Sequence, residues 1–400
     1  AIADHHGNDP ALLAVKAKLL SPVQQNDTAP LFPRYEPDEF TIRDPELVTS
    51  AVAHYLQALQ MQAEAKKMSA IFGGKQPHQS SIVTGGVTML PRAAEIEQFR
   101  SMLLKQRDFI KNVYVPDVLA IGTGPLLPLA QAKVGLSQGN YLAYGGFEYG
   151  VEGGKYLFPR GYILGNDFST VNELDPSRIS EEVTSSWYKQ DGAKHPYEGE
   201  TEPELDKEGA YSFVKSPRYD GQPMEVGPLA RQLVAQNPDL LKLVSDYQIQ
   251  PGAVARHAAR ALEAAQVADA MVGWVDDLID LASQGDLVIH DTAHWEPPAT
   301  GEGAGLTEAP RGALGHWVQV SDHKVSRYQM IVPTTWNGSP RDANGVRGPI
   351  EQALIGAPVP DPENPQNIVR VIRSFDPCLA CAIHLIDPRT NQVREFTINL

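Results

Sequence analysis

Apolar residues recur at helical spacing along residues 45–70, "PELVTSAVAHYLQALQMQAEAKKMSA", with few breakers, and the period predicts a long helix. Residues 91–116, "PRAAEIEQFRSMLLKQRDFIKNVYVP", open at Pro91 and stop before Pro116, the usual bounds of a helix. A third helix is expected over the alanine-rich stretch 251–285, which opens after Pro-Gly and closes at Gly285. Between these lie turn-rich stretches, the longest over 186–231. Residues 316–333, "HWVQVSDHKVSRYQMIVP", alternate and turn around Ser321–Lys324, which predicts a hairpin. There are no repeats or low-complexity tracts. The pattern predicts a helix-rich α+β fold: long helices, small β elements and long ordered loops wrapping one large core.

Composition narrows the partners more than the fold. The chain has 400 residues, enough to bury a substantial core. Its 33 glycines and 32 prolines agree with long ordered non-helical segments. A net charge of −15 argues against nucleic acid, whose phosphates need a basic footprint. No apolar run approaches the ~18 residues of a membrane span. The opening residues show no basic region followed by an apolar one, so no signal peptide is visible.

Both cysteines of the chain lie in "RSFDPCLACAIHLIDPRTNQ", residues 373–392. Asp376 is a good helix N-cap and Pro377 suits the first helical position. Cys378 is then expected in a first turn, where unpaired N–H groups favour a thiolate. On such a helix Cys381 lies about 60° from Cys378, so both sulfurs face one metal, while His384 projects about 120° away and ~9 Å further along. The spacing alone leaves structural zinc, a redox pair and plain core cysteines open. Zinc needs two further ligands, and no second C-x-x-C or H-x₃-H exists here. A thioredoxin-like pair belongs beside a βαβ unit, not near the C-terminus.

"SFDPCLACAIH" resembles the C-terminal metal-binding signature D-P-C-x-x-C-x-x-H of nickel–iron hydrogenase large subunits. "FGGKQPHQSSIVTGGVT" (72–88), "GNYLAYGGF" (139–147), "HPYEGETEP" (195–203), "SPRYDGQPMEVGPLAR" (216–231), "EGAGLTEAPRGALGHWV" (302–318) and "VPTTWNGSPRD" (332–342) resemble further family blocks, in the family's order. Together they span nearly the whole chain, and the helical blocks are most similar to the uptake type.

The resemblance implies a catalytic subunit that oxidises dihydrogen heterolytically and passes electrons to an iron–sulfur small subunit. Cys378 would be a terminal nickel thiolate and Cys381 a thiolate bridging nickel and iron; soft sulfur suits a nickel that changes oxidation state. His384 would ligate a magnesium or iron ion, joined by the Met330 backbone carbonyl. The iron's carbon monoxide and cyanide ligands would occupy a dry pocket. There Pro310–Arg311 backbone and the Thr334 hydroxyl would hydrogen-bond the cyanides, and Val332 and Pro333 would pack near the carbon monoxide. The proton would go to the Cys378 sulfur or to Arg311, steadied by Asp376; because a guanidinium holds its proton very tightly, the arginine fits electrostatic positioning better. His78 falls in a block that faces the small subunit, and the histidines of "HDTAHW" (290–295) are expected to satisfy core hydrogen bonds.

The family's first cysteine pair, in an R-x-C-G-x-C block, and its N-terminal glutamate are absent here. The chain therefore reads as a fragment without its amino-terminal part. Residues 385–400 resemble the extension that a maturation endopeptidase removes once insertion factors have delivered the metals. The expected organisation is a helical region (1–135), a loop-rich α+β region (136–250), a long helix with the C-terminal metal-site region (251–384), and the cleavable extension. A regulatory hydrogen sensor would lack that extension. A relative of the quinone-facing complex I subunit would lack Cys378 and Cys381. A cytoplasmic location is expected, with membrane association only through the complex; because export in the family follows the small subunit's signal, an exported location stays open.

Overall fold

The computed structural model describes residues 2–25, 38–149, 154–189, 192–285, 287–291, 298–378, 383–387 and 392–396. In the first third, helices α1 (Pro10–Gln24) and α2 (Pro45–Gly73) precede a short hairpin of β1 (Ile82–Val83) and β2 (Gly86–Val87). Then come α3 (Ala93–Phe109), α4 (Val115–Thr123) and α5 (Leu127–Gln131). Asp44 caps α2 by accepting from the Glu46 and Leu47 amides at 2.9 and 3.1 Å, and Pro45 fills the first position. Contrary to the sequence expectation, the chain does not leave the helical path at Pro116. A π turn over Ile110–Tyr114 joins α3 to α4 and carries the helical path past Pro116, a residue with no N–H to donate.

The middle of the chain is built from antiparallel pairs: β3 (Tyr141–Ala143), β4 (Gly146–Tyr149), β5 (Lys155–Phe158), β6 (Gly161–Ile163), β7 (Ile179–Glu182) and β8 (Ser216–Tyr219). β3 pairs with β6, β4 with β5, and β7 with β8. Helices α6 (Pro228–Val234) and α7 (Pro238–Tyr247) lead into α8 (Ala253–Gln284), which ends at Gly285 with φ 73°. A three-stranded sheet follows, β9 (Thr300–Ala309), β10 (Gly312–Ser321) and β11 (Lys324–Ile331), with β10 central. The predicted hairpin is the β10–β11 pair, turning at Asp322 and His323 with φ 52° and 58°. No alternation signals β9, because its first half is glycine-rich and exposed on both faces.

Short helices α9 (Pro333–Asn337) and α10 (Pro349–Leu354) precede α11 (Gln366–Ser374), and a terminal hairpin pairs β12 (Ile383–Asp387) with β13 (Gln392–Phe396). This corrects the helix expected from Asp376. Asp376 has φ 52°, in the left-handed region rather than the extended conformation of an N-cap, and residues 376–378 carry no helical turn. Cys378 therefore follows the C-terminal end of α11, and His384 lies on a strand, opposite Glu395.

The alanines of α8 let its N-terminal half approach closely. Ala255 and Ala259 are buried with Leu229, Leu233, Leu240, Val371 and Phe375 in one cluster. Its C-terminal half packs Val275 against Met68, Ile96, Phe99 and Leu103 of α2 and α3. A third cluster, around Trp317 and Trp336, joins the three-stranded sheet to the small strand pairs.

Candidate metal centre

Three segments that are remote in sequence meet beside the third cluster: the β9–β10 turn with Pro310 and Arg311, the start of α9 with Val332, Pro333 and Thr334, and Asp376–Cys378. Each is fixed by a different device.

The turn is held by Arg231 on α6, whose side chain is 2% exposed. Its Nε and Nη2 donate to Glu263 at 2.7 and 2.6 Å, and its Nη1 donates to Glu308 at 2.6 Å. The remaining donors bind the Ala309 and Pro310 carbonyls, each at 2.9 Å. Burial pushes the Glu308 carboxyl up, and Arg231 only partly offsets this. The turn also needs glycine. Gly312 has φ 138°, and a Cβ there would lie 2.6 Å from the Gly227 amide; Gly227 has φ 122°, and a Cβ there would meet the Arg311 carbonyl at 2.8 Å.

The end of α11 is held from α8. Arg256 makes a two-toothed pair with Glu225 at 2.7 and 2.9 Å, donates to Ser374 Oγ at 3.2 Å, and stacks 3.5 Å from the centre of the Phe375 ring. Arg260 donates to the Ser374 carbonyl at 3.0 Å. Burial draws the Arg260 pKa down, and Asp376 partly restores it.

On this frame Arg311 Nε donates to the Asp376 carbonyl at 2.6 Å, and Nη2 reaches the Asp376 carboxylate at 3.3 Å. The Cys378 amide donates to Thr334 Oγ1 at 3.3 Å. The structure thus brings together four predicted residues: Arg311, Asp376, Thr334 and Cys378. Pro333 is buried beside Thr334, whereas Pro310 and Val332 are exposed. Among the described residues these groups form an open rim: the Arg311 and Asp376 side chains are 37% and 44% exposed, and Cys378 is exposed. A cavity of about 410 Å³ runs from Asp376 and Pro310 along Phe158, Leu103 and Met271. Met330 lies in the β10–β11 ladder opposite His316, and Cys381 lies outside the described residues. His78 is exposed after α2, and His290 faces the Thr84 carbonyl at 3.0 Å.

Sequence reasoning missed Arg231, Glu263, Glu308, Arg256 and Glu225. The available signal was a charge on an otherwise apolar helical stretch, as in "PLARQLV" and "AVARHAARAL".

The model of the nickel-dependent hydrogenase family matches residues 2–384, and the chain belongs to that family of oxidoreductases. It is 39% identical to the uptake hydrogenase large subunit of Bradyrhizobium diazoefficiens, over 88% of this chain and 67% of the relative. To the hydrogenase-1 large chain of Escherichia coli K12 it is 36% identical, over 86% of this chain and 65% of the relative. The structure of the reduced, active Ni-Fe-Se hydrogenase from Desulfomicrobium baculatum superposes with a TM-score of 0.80 at 34% identity, covering 88% of this chain and 74% of that one. The chain therefore spans about two thirds of the length of these curated relatives. No helix among the described residues is long and apolar enough to cross a membrane.

The Cys378 thiol suits a nickel–iron centre in kind, whereas the Arg311 guanidinium and the Thr334 hydroxyl can only donate hydrogen bonds around it. The number of ligands is smaller than a closed site needs: no group of three His, Cys, Asp or Glu among the described residues is placed to hold a metal ion.

Proposed function

We propose that this chain carries the C-terminal part of the active site of a nickel–iron uptake hydrogenase large subunit, which oxidises dihydrogen and passes electrons to an iron–sulfur small subunit. The observation that carries this reading is the Arg311–Asp376 pair standing beside the Thr334–Cys378 contact, within a stretch that matches the family throughout.

Cys378 and Cys381 would contribute thiolates, Cys378 to nickel and Cys381 between nickel and iron, with His384 and the Met330 carbonyl serving a magnesium or iron ion nearby. The bound centre supplies the polarisation that splits dihydrogen and a place for its electrons. The chain's own residues set the surroundings. Thr334 Oγ1 already accepts from the Cys378 amide, so its hydroxyl proton is the donor it offers to a cyanide. The Pro310 carbonyl is occupied by Arg231, so the Pro310–Arg311 peptide offers its N–H. Val332 and Pro333 give the carbon monoxide an apolar wall. The Arg311 guanidinium, oriented by Asp376, would favour negative charge on the nearby Cys378 sulfur, the candidate to take up a proton when the centre is bound.

The test is to express the full-length gene with a small subunit and maturation factors, then measure nickel content and hydrogen-dependent dye reduction. Nickel and turnover should appear together, and Cys378→Ser should remove both. Undiminished turnover in Cys378→Ser would refute the assignment.

A further inference from the structure

We infer that Arg231 is a positioning residue for the Pro310–Arg311 turn; the inference rests on the hydrogenase reading and adds a residue to it. A guanidinium has five N–H donors, and in Arg231 all five are engaged: two on Glu263, one on Glu308, one on the Ala309 carbonyl and one on the Pro310 carbonyl. A surface arginine loses little when one bond breaks, because water replaces it. Here the side chains of Arg231 and Glu308 are 2% and 4% exposed, so each lost bond leaves an unpaired buried partner. The planar fork therefore fixes two consecutive carbonyls, and with them the direction of the peptide that leads into Arg311. The Gly227–Gly312 crossing closes the same turn from the other side, so the turn has no slack to absorb a shift. Arg231 touches no reacting group itself; it acts through Arg311 and the Pro310–Arg311 N–H.

Lysine keeps the charge but has three donors on one atom and no plane, so Arg231→Lys releases at least two of the five bonds. The equally buried Arg218, paired with Asp342 and bonded to none of residues 309–311, provides the matched control. In the matured holoenzyme, nickel content, kcat and KM for dihydrogen, and the infrared stretching bands of the carbon monoxide and cyanides are measured for both variants. Arg231→Lys should retain nickel, shift the cyanide bands, and lower kcat about 10- to 100-fold. KM should change by less than about twofold. Arg218→Lys should lose thermal stability while its bands and kcat stay at wild-type values. Should Arg231→Lys not accumulate, Glu263→Gln, at the more accessible end of the network, should give the same signature at smaller amplitude. Unchanged bands and kcat in Arg231→Lys, or equal changes in Arg218→Lys, would overturn the positioning role. A wild-type holoenzyme without nickel or diatomic bands would instead overturn the hydrogenase reading, and this inference with it.

Discussion

Arg311 combines two contacts of different character: a short bond to the Asp376 backbone and a longer one to its carboxylate. The first fixes the guanidinium plane and the second sets its charge environment. Lysine in its place keeps the charge but cannot hold both contacts in one plane. Arg311→Lys should therefore retain nickel and lose most turnover, on the order of 10²-fold, as when one aimed donor is removed from a reacting centre. Nickel analysis beside hydrogen-dependent dye reduction checks this; near-normal turnover would remove Arg311 from the mechanism. Arg311, Asp376, Thr334 and Cys378 were legible as short motifs because their own side chains or amides form the rim. Arg231 was not, since a charge in a short helix usually marks a solvated face. Only the return of Glu263 and Glu308, 32 and 77 positions further along the chain, shows that it is buried and paired.

At the scale of elements, periodicity located α2 and α8 to within a few residues, and the β10–β11 hairpin followed from alternation around a turn. Proline misled the reading twice. At Pro116 a π turn carried the helix on, which local sequence does not announce. At Asp376-Pro377 the capping signal is sound locally but tertiary contacts override it. Phe375 is stacked against Arg256 and the Asp376 carbonyl is bound by Arg311, which together hold Asp376 at φ 52°. The element that ends at this point, α11, is tied to the segment before α2 by Arg370 and Asp38. Burial alone would raise the Asp38 pKa, but bonds from Arg370 and Thr41 outweigh it and hold the carboxyl below its usual value. A folded-state pKa below the unfolded one means that the stabilisation is complete above about pH 4 and lost as pH falls through the folded value. Asp38→Asn should thus lower the Tm near neutral pH, with the difference from wild type shrinking as pH falls below the usual carboxylate range. Calorimetric scans across that range decide it: a difference that stays constant with pH would rule out the ion pair as the cause.

Across the whole molecule, buried ion pairs join stretches that are far apart in sequence: Arg218 to Asp342, Arg231 to Glu308, and Arg256 to Glu225. These build the frame, yet the frame holds few metal donors. Two cysteines are all that these 400 residues contain. The isolated stretch should therefore bind divalent ions weakly and exchangeably, lose that binding in the Cys378→Ser, Cys381→Ser double variant, and show no hydrogen-dependent dye reduction. Tight nickel with turnover in that stretch would contradict this. In the matured enzyme, mass spectrometry should find the C-terminus at His384, and active, nickel-loaded protein still ending at Leu400 would exclude such processing. The Arg256–Phe375 stack has a consequence for the order of these events. It clamps the chain immediately upstream of Asp376, so tension or release applied beyond Cys378 stops at the stack. Trimming the tail would then change what can enter or leave the rim while its shape stays as folding made it, and any such maturation would act on a finished mould.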